Sequence, residues 1–302
     1  MRPRKQERAP RPSPELAQAD SDRRDAGRSA ERRIGRRDYK IEPKNKFFAA
    51  MCSITAFELR PANTVTFLSE VDLTEIERIR AADREASVHK PSYTAFVVKA
   101  VALALREFPY ANRRVSRSLF RRPRVQKFQR IDAAILAERS VPGAPMVAFV
   151  DMLREADGLS LEEITVRLHA MATADVATNK QLRDFTNIIT WLPIRLAALV
   201  LRMPALFPRL WVNYRGGAFV ITSPAKYGVD TVATTWPWSL GVSFGIAKPR
   251  PVVRDGLVRP CPTFTLTLNF DHRLMTVAPA ARFFTRVVDL LEQPGESMRP
   301  PP

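Results

Sequence analysis

Imidazole and thiol chemistry rests on five side chains in this chain: His89, His169, His272, Cys52 and Cys261. His272 has the most informative setting, TLNFDHRLMTVAPAARFFTRVVDLLEQP. An alternating strand, TFTLTLNF, runs straight into it, and a helical pattern from about 277 to 292 follows. An imidazole fixed between a strand end and a helix start is held where a general base has to be, within hydrogen-bond reach of the proton it removes. Its ordinary pKa of about 6.5 suits that work near neutral pH. His169 sits in a helical pattern with no second ligand-type residue at metal spacing, and His89 belongs to a polar helix end, so both read as ordinary surface or packing residues. No P-loop, dinucleotide glycine fingerprint, cysteine zinc pattern or internal repeat accompanies them.

The elements that must position His272 are legible as alternating strand and helix signals. KNKFFAAMCSITAF suggests a short helix. NTVTFLSEVDL reads as a strand ending where Asp72 or Thr74 caps a helix through Ile76 and Ile79. SYTAFVVKAVALALREF spaces Phe96, Val97, Ala100, Val101, Ala104 and Leu105 three and four apart behind a Ser92 cap, so a buried helix packed on a sheet is expected. IDAAILAE and APMVAFVDML read as strands, and Ser160 with Glu163 forms a capping pattern that opens the helix carrying His169. The last third gives GGAFVIT, then WSLGVSFGIAK, a Pro-Arg-Pro turn, VVRDGLV with an Asp-Gly turn, and PTFTLTLNF.

Composition sets the outer bounds. The 302 residues, 45% of them hydrophobic, suffice for one large or two small soluble domains. Two cysteines form no disulfide framework and the N-terminus lacks an apolar signal core, so a cytoplasmic protein is expected. The net charge of +17 favours anionic partners, and residues 1–40 contribute +6 of it (13 basic, 7 acidic), leaving +11 for the rest. Residues 1–40 hold almost no large apolar side chains and read as a disordered basic arm. The domain proper spans 41–296, with a disordered tail over 297–302.

Two stretches inside the domain stand out. RRVSRSLFRRPRVQKFQR (113–130) carries eight basic and no acidic residues in an alternating pattern broken by Pro123. It is expected to be a hairpin with one exposed face, either merely solvated or able to bind phosphates of a cofactor or an acidic carrier, Arg121, Arg122 and Arg124 being the candidates. Phe120 and Phe128 alone could stack bases, which argues against nucleic-acid binding. Residues 185–211 are apolar, with Arg195, Arg202 and Arg209 every seven residues and prolines at 193, 204 and 208. This is a poor membrane span. It reads as a pair of short helices lining an acyl pocket or a subunit contact, or else as a segment lying on a membrane surface.

Taken together, VDLTEIERIR, SYTAFVVKAVALALREFPYAN, SLEEI, GGAFVITSPAKYGVD, VSFGIAKPRPVVRDG and TFTLTLNFDHR, followed by AARFFTRVVDLLEQP, resemble in collinear order the catalytic domain of the dihydrolipoamide acyltransferases of 2-oxoacid dehydrogenase complexes. The resemblance covers about residues 44–293. It implies an α/β two-layer sandwich of the chloramphenicol acetyltransferase kind, a mixed sheet with helices packed on one side, assembled as a homotrimer or a larger assembly of trimers with active sites between subunits. It also implies direct acyl transfer from a coenzyme A thioester, with no covalently bound cofactor and no metal. His272 matches the family's base, and Thr222 matches the serine whose hydroxyl stabilises the oxyanion, with Ser223 as the fallback on the opposite strand face.

The departures are as informative. The family motif His-x-x-x-Asp-Gly reads HRLMTV here, so Thr276 and Val277 replace its last two residues, and Lys44 stands where the family has the arginine that braces the Asp. Thr276 can still cap the following helix. With no lipoyl or subunit-binding domain ahead of residue 41, the expectation is a free-standing acyltransferase working from a coenzyme A or carrier-protein thioester to a small-molecule or carrier acceptor. The alternative is a non-catalytic trimeric scaffold or partner-binding homologue. Peripheral membrane contact is compatible with either.

Overall fold

The computed structural model describes residues 46–58, 64–82, 90–116, 124–141, 144–254, 256–295 and 298, all within the compact unit Asn45–Pro302. The basic arm, Lys44, His89, Phe120, Arg121 and Arg122 lie outside the described residues. In chain order the elements are α1 (Lys46–Glu58), β1 (Thr64–Asp72), α2 (Thr74–Ala82), α3 (Tyr93–Glu107), β2 (Arg113–Ser116), β3 (Arg124–Lys127), β4 (Ala133–Val141) and β5 (Ala144–Leu153). There follow α4 (Leu161–Thr173), α5 (Lys180–Trp191), α6 (Ile194–Leu206), α7 (Pro208–Arg215), β6 (Phe219–Thr222), β7 (Leu240–Phe244), β8 (Lys248–Arg254), β9 (Leu257–Asp271) and α8 (Val277–Glu292).

A seven-stranded mixed sheet in the order β1-β9-β7-β6-β4-β5 forms the frame, with β8 hydrogen-bonded to the outer part of β9. The β4–β6 and β6–β7 pairs are parallel and the rest antiparallel. Strand alternation sorts the side chains. Ile135, Phe219, Ile221, Val242, Leu268 and Phe270 face one side, where α3 and α8 cover them in the main core. α3 is held there by its apolar stripe and by Ser92, whose hydroxyl accepts from the Ala95 N–H at 3.2 Å. On α8 the fully buried Phe283 contributes about 1.5–3 kcal/mol by leaving water. Asp72 accepts from the backbone and hydroxyl of Thr74 to start α2, and Ser160 and Glu163 form the reciprocal capping box of α4.

The mixed α/β architecture and the helix layer on one side stand as expected, and the chain's own additions lie on the other face. There Ala134, Val150 and Val220 pack against Trp211 of α7 and against Trp238. Trp211 donates its indole N–H to the Gly217 carbonyl at 3.1 Å, and the Arg114 guanidinium stacks 3.7 Å from its ring. Residues 185–211 are therefore not a self-contained pair of helices. They begin in the second half of α5, run through all of α6 and enter α7, with Pro193 and Pro208 at helix starts where a missing N–H costs nothing. Arg202 is turned inward, donating to the Ser53 hydroxyl (2.5 Å) on α1.

Three other expectations change. The Pro-Arg-Pro stretch is no turn: Pro249 and Pro251 lie within β8, opposite Pro262 and Pro260. β8 pairs on one side only, so an absent N–H breaks no second ladder. Strand β9 runs unbroken through fifteen residues. Met298, in the expected disordered tail, is fully buried in the main core, its apolar side chain returning to the helix layer.

Candidate active site

β9 ends at Asp271, and His272 is the first residue of the turn that leads to α8. Asp271 shapes that turn. Its carboxylate accepts from the Arg273 backbone N–H (3.0 Å) and from the Arg273 guanidinium (2.6 and 2.9 Å), while its carbonyl accepts from the Leu274 N–H (3.0 Å). The Asp271 hydrogen bond raises the Arg273 pKa. Behind the turn, the Tyr110 hydroxyl donates to the Pro279 carbonyl at 2.9 Å and ties the start of α8 to the loop after α3. The result is a half-exposed His272 on a backbone pinned from both sides. Asp271 and Arg273 are positioning residues that the sequence pattern alone does not single out.

Thr222 ends β6 on the face opposite the main helix layer, as its alternation with Val220 requires. Its neighbours on that face are polar, with Ser243, Thr267 and Asn269 deeply buried: Ser243 donates to the Val232 carbonyl (2.7 Å), Thr267 meets Thr231 (3.2 Å), and Thr66 donates to Asn269 (2.6 Å). The Ser223 hydroxyl is engaged, donating to the Phe244 carbonyl (2.8 Å) and accepting from the Ala225 N–H (3.2 Å). That engagement ties Ser223 to the turn after β6.

His272 and Thr222 are not brought together within one protomer. Thr222 stands opposite Ser243, and Ser243 opposite Thr267. His272 lies five residues beyond Thr267 and two strands from Thr222, so spacings of about 3.3 Å per residue and 4.8 Å per strand put them roughly 19 Å apart. No pair of side chains of this length bridges that gap.

Thr276 occupies the N-cap position of α8, but its hydroxyl makes no cap hydrogen bond; only its carbonyl is used, by the Ala280 N–H at 3.2 Å. The expected side-chain cap is thus absent, and Thr276 is exposed. The basic hairpin forms as expected, β2 pairing with β3. Arg124 and Lys127 are exposed on it, whereas Arg114 is buried and reaches the Ala205 carbonyl (3.0 Å). Phe128 is buried and so offers no stacking platform for a base.

A cavity of about 570 Å³ opens on the Thr222 side of the sheet. Leu136 and Val150, paired across β4 and β5, form its floor, and α5 and α6 contribute Phe185, Ile188, Leu201 and Met203. Among the described residues no cluster of three or more His, Cys, Asp or Glu could hold a metal ion, and no helix is long and apolar enough to cross a membrane.

Comparison with known proteins agrees with this frame. The chain is 24% identical to the dihydrolipoyllysine-residue acetyltransferase component of the pyruvate dehydrogenase complex of Mycoplasma capricolum, across 76% of this chain and 45% of that protein. It is also 24% identical to the dihydrolipoyllysine-residue succinyltransferase component of the 2-oxoglutarate dehydrogenase complex of Haemophilus influenzae, across 76% of this chain and 48% of that protein. The chain thus spans less than half the length of these two relatives. In fold it is similar to a probable dihydrolipoamide acetyltransferase from Listeria monocytogenes (TM-score 0.62, 20% identity, 85% of this chain and 96% of that one). It is equally similar to the dihydrolipoamide acetyltransferase of Azotobacter vinelandii (TM-score 0.62, 20% identity, 86% and 93%). The family model for the catalytic domain of the 2-oxoacid dehydrogenases acyltransferases matches residues 57–190 and 212–299, breaking at the apolar insertion. With that match across most of its length, the chain belongs to the 2-oxoacid dehydrogenase acyltransferase (catalytic domain) family.

Proposed function

We propose that this chain is an acyltransferase that moves an acyl group from a coenzyme A or carrier-protein thioester to a thiol-bearing or other small acceptor, with His272 as general base and Thr222 as oxyanion donor. The observation that carries the reading is the half-exposed imidazole at the end of β9, on a turn pinned by Asp271 and Arg273, in a chain of this family. His272 takes the proton of the acceptor as it attacks the thioester carbonyl. The Thr222 hydroxyl donates to the oxygen as it becomes negative, and the proton then passes to the departing thiolate. No acyl-enzyme and no bound cofactor is needed.

The separation of the two residues supports a homotrimer, or a larger assembly of trimers, in which His272 of one protomer faces Thr222 of the next. The relative from Azotobacter vinelandii has been probed for the catalytic roles of a serine, a histidine and an asparagine, the asparagine four residues after the histidine. Thr276 holds the corresponding place here. The relatives' names give lipoyl-lysine as the acylated group, which makes dihydrolipoamide the first acceptor to try. Arg124, with Arg121 and Arg122, would attract the phosphates of the donor.

The test is to incubate the full chain with a panel of acyl-CoAs and dihydrolipoamide and to resolve acylated product and free coenzyme A chromatographically. Turnover that falls at least 100-fold in His272→Ala is the expected outcome. A second reading, a non-catalytic trimeric scaffold, is favoured by the unbonded Thr276 hydroxyl where the family has its brace. A folded trimer that turns over no donor would select it.

A further inference from the structure

One wall of the cavity beside β4, formed by Val200, Leu201, Met203, Pro204 and Leu210, comes from the part of this chain that the family model leaves unmatched, while its floor and most of its remaining lining lie in the matched segments. About 570 Å³ is within the range of small-molecule sites. Its polar lining is confined to a few groups, among them Gln181, Asp184 and Arg215.

Its place relative to Thr222 indicates what it takes. β4 and β6 run parallel with Ile135 opposite Ile221, so Leu136 comes abreast of Thr222 on the same face of the sheet, about one strand spacing of 4.8 Å away. Leu136 is also part of the cavity floor. An acyl group whose carbonyl oxygen sits at the Thr222 hydroxyl has a path into the cavity across Leu136 and Val150. We infer that the insertion completes a binding site for the linear aliphatic chain of the acyl donor, making the preferred substrate a medium- or long-chain acyl thioester. The transfer itself balances as above: the acceptor–carbonyl bond forms, the carbon–sulfur bond breaks, and the acceptor's proton reaches the thiolate through His272. The inference rests on the acyl-transfer reading for its chemistry, and on the cavity alone for chain binding.

Two measurements on the full chain separate these layers. The first is kcat/KM for acetyl-, octanoyl-, dodecanoyl- and palmitoyl-CoA. Each methylene buried in the cavity adds up to about fourfold, so a rise of at least 100-fold from acetyl to dodecanoyl is expected. The second is dodecanoate binding followed by tryptophan fluorescence, since Trp236 and Trp238 line the cavity. Met203→Trp, and Val200→Phe as a milder filling variant that guards against misfolding, are expected to lose both the chain-length preference and the binding while keeping acetyl turnover. Acetyl turnover with a flat chain-length profile and no dodecanoate binding overturns the inference and leaves the acyltransferase reading intact. Saturable dodecanoate binding that the filling variants abolish, with no thioester turned over, upholds the chain site and overturns the acyl-transfer reading.

Discussion

An oxyanion donor is tested by taking away the hydrogen and keeping the shape. Thr222→Val does this at a half-buried strand end, and kcat is expected to fall about 100- to 1,000-fold with KM little changed. Thr222→Ser restores the hydroxyl and should stay within about tenfold of the parent; equal losses in both variants would remove Thr222 from the mechanism. A second residue-scale device links α2 to α3. Burial alone would raise the Glu77 pKa, but hydrogen bonds from Tyr93 and Arg80, both 2.5 Å, outweigh it and hold the carboxyl below its ordinary value. Burial and the same bond push the Tyr93 phenol up to about 12. A depressed carboxyl stabilises the fold fully above its unfolded value and loses that contribution as pH falls through the folded one. Tyr93→Phe should therefore move the acid-unfolding midpoint, followed by circular dichroism, to higher pH. His272 is legible in the sequence because a strand and a helix flank it. The Asp271–Arg273 bond is not, since two charges two residues apart meet only once the chain turns.

At the scale of elements, the extended segment 229–238 lies flat on the sheet because two glycines let it. A side chain on Gly241 would collide with the Trp236 ring, and one on Gly245 with the Asp230 backbone. Further ties of the segment include Ser243 to the Val232 carbonyl, the Ile246 N–H to the Val229 carbonyl and Thr231 to Thr267. Gly241→Ala is expected to cost about 1–3 kcal/mol in chemical denaturation by overpacking this contact, and to shift the tryptophan emission as Trp236 is displaced. An unchanged midpoint and spectrum would mean that the segment is not packed as described. Helices with a polar cap and an apolar stripe, such as those opened by Ser92 and Ser160, are legible in the sequence because cap and stripe are both local. The insertion has no such local boundary. Its first turns belong to α5, whose Asn179 cap, accepting from the Leu182 N–H at 3.0 Å, lies well upstream of the apolar run. Pro249 and Pro251 mislead for a related reason: a proline signals a turn unless its strand has a free edge, and that is a property of the whole sheet.

For the whole molecule, the decisive quantity is the distance of roughly 19 Å that the sheet register sets between Thr222 and His272 in one protomer. If chemistry needs both, each site is completed by a neighbouring copy, and two inactive variants can rescue each other. His272→Ala supplies intact Thr222, and Thr222→Val supplies intact His272. Unfolded together in equal amounts and refolded, they are expected to form mixed trimers in which a given interface draws both intact residues with a chance of about one in four. Activity near a quarter of the parent's is expected from the mixture, against the residual rates of the two variants refolded separately. Rescue would also require the two proteins to share an assembly, which co-purification through a tag on one of them checks in the same sample. Sharing without rescue would show that the two residues do not serve one site across the interface, and the acyl-transfer pair would have to be abandoned. The sheet order makes the result informative either way, because no movement of side chains alone closes the distance inside one protomer.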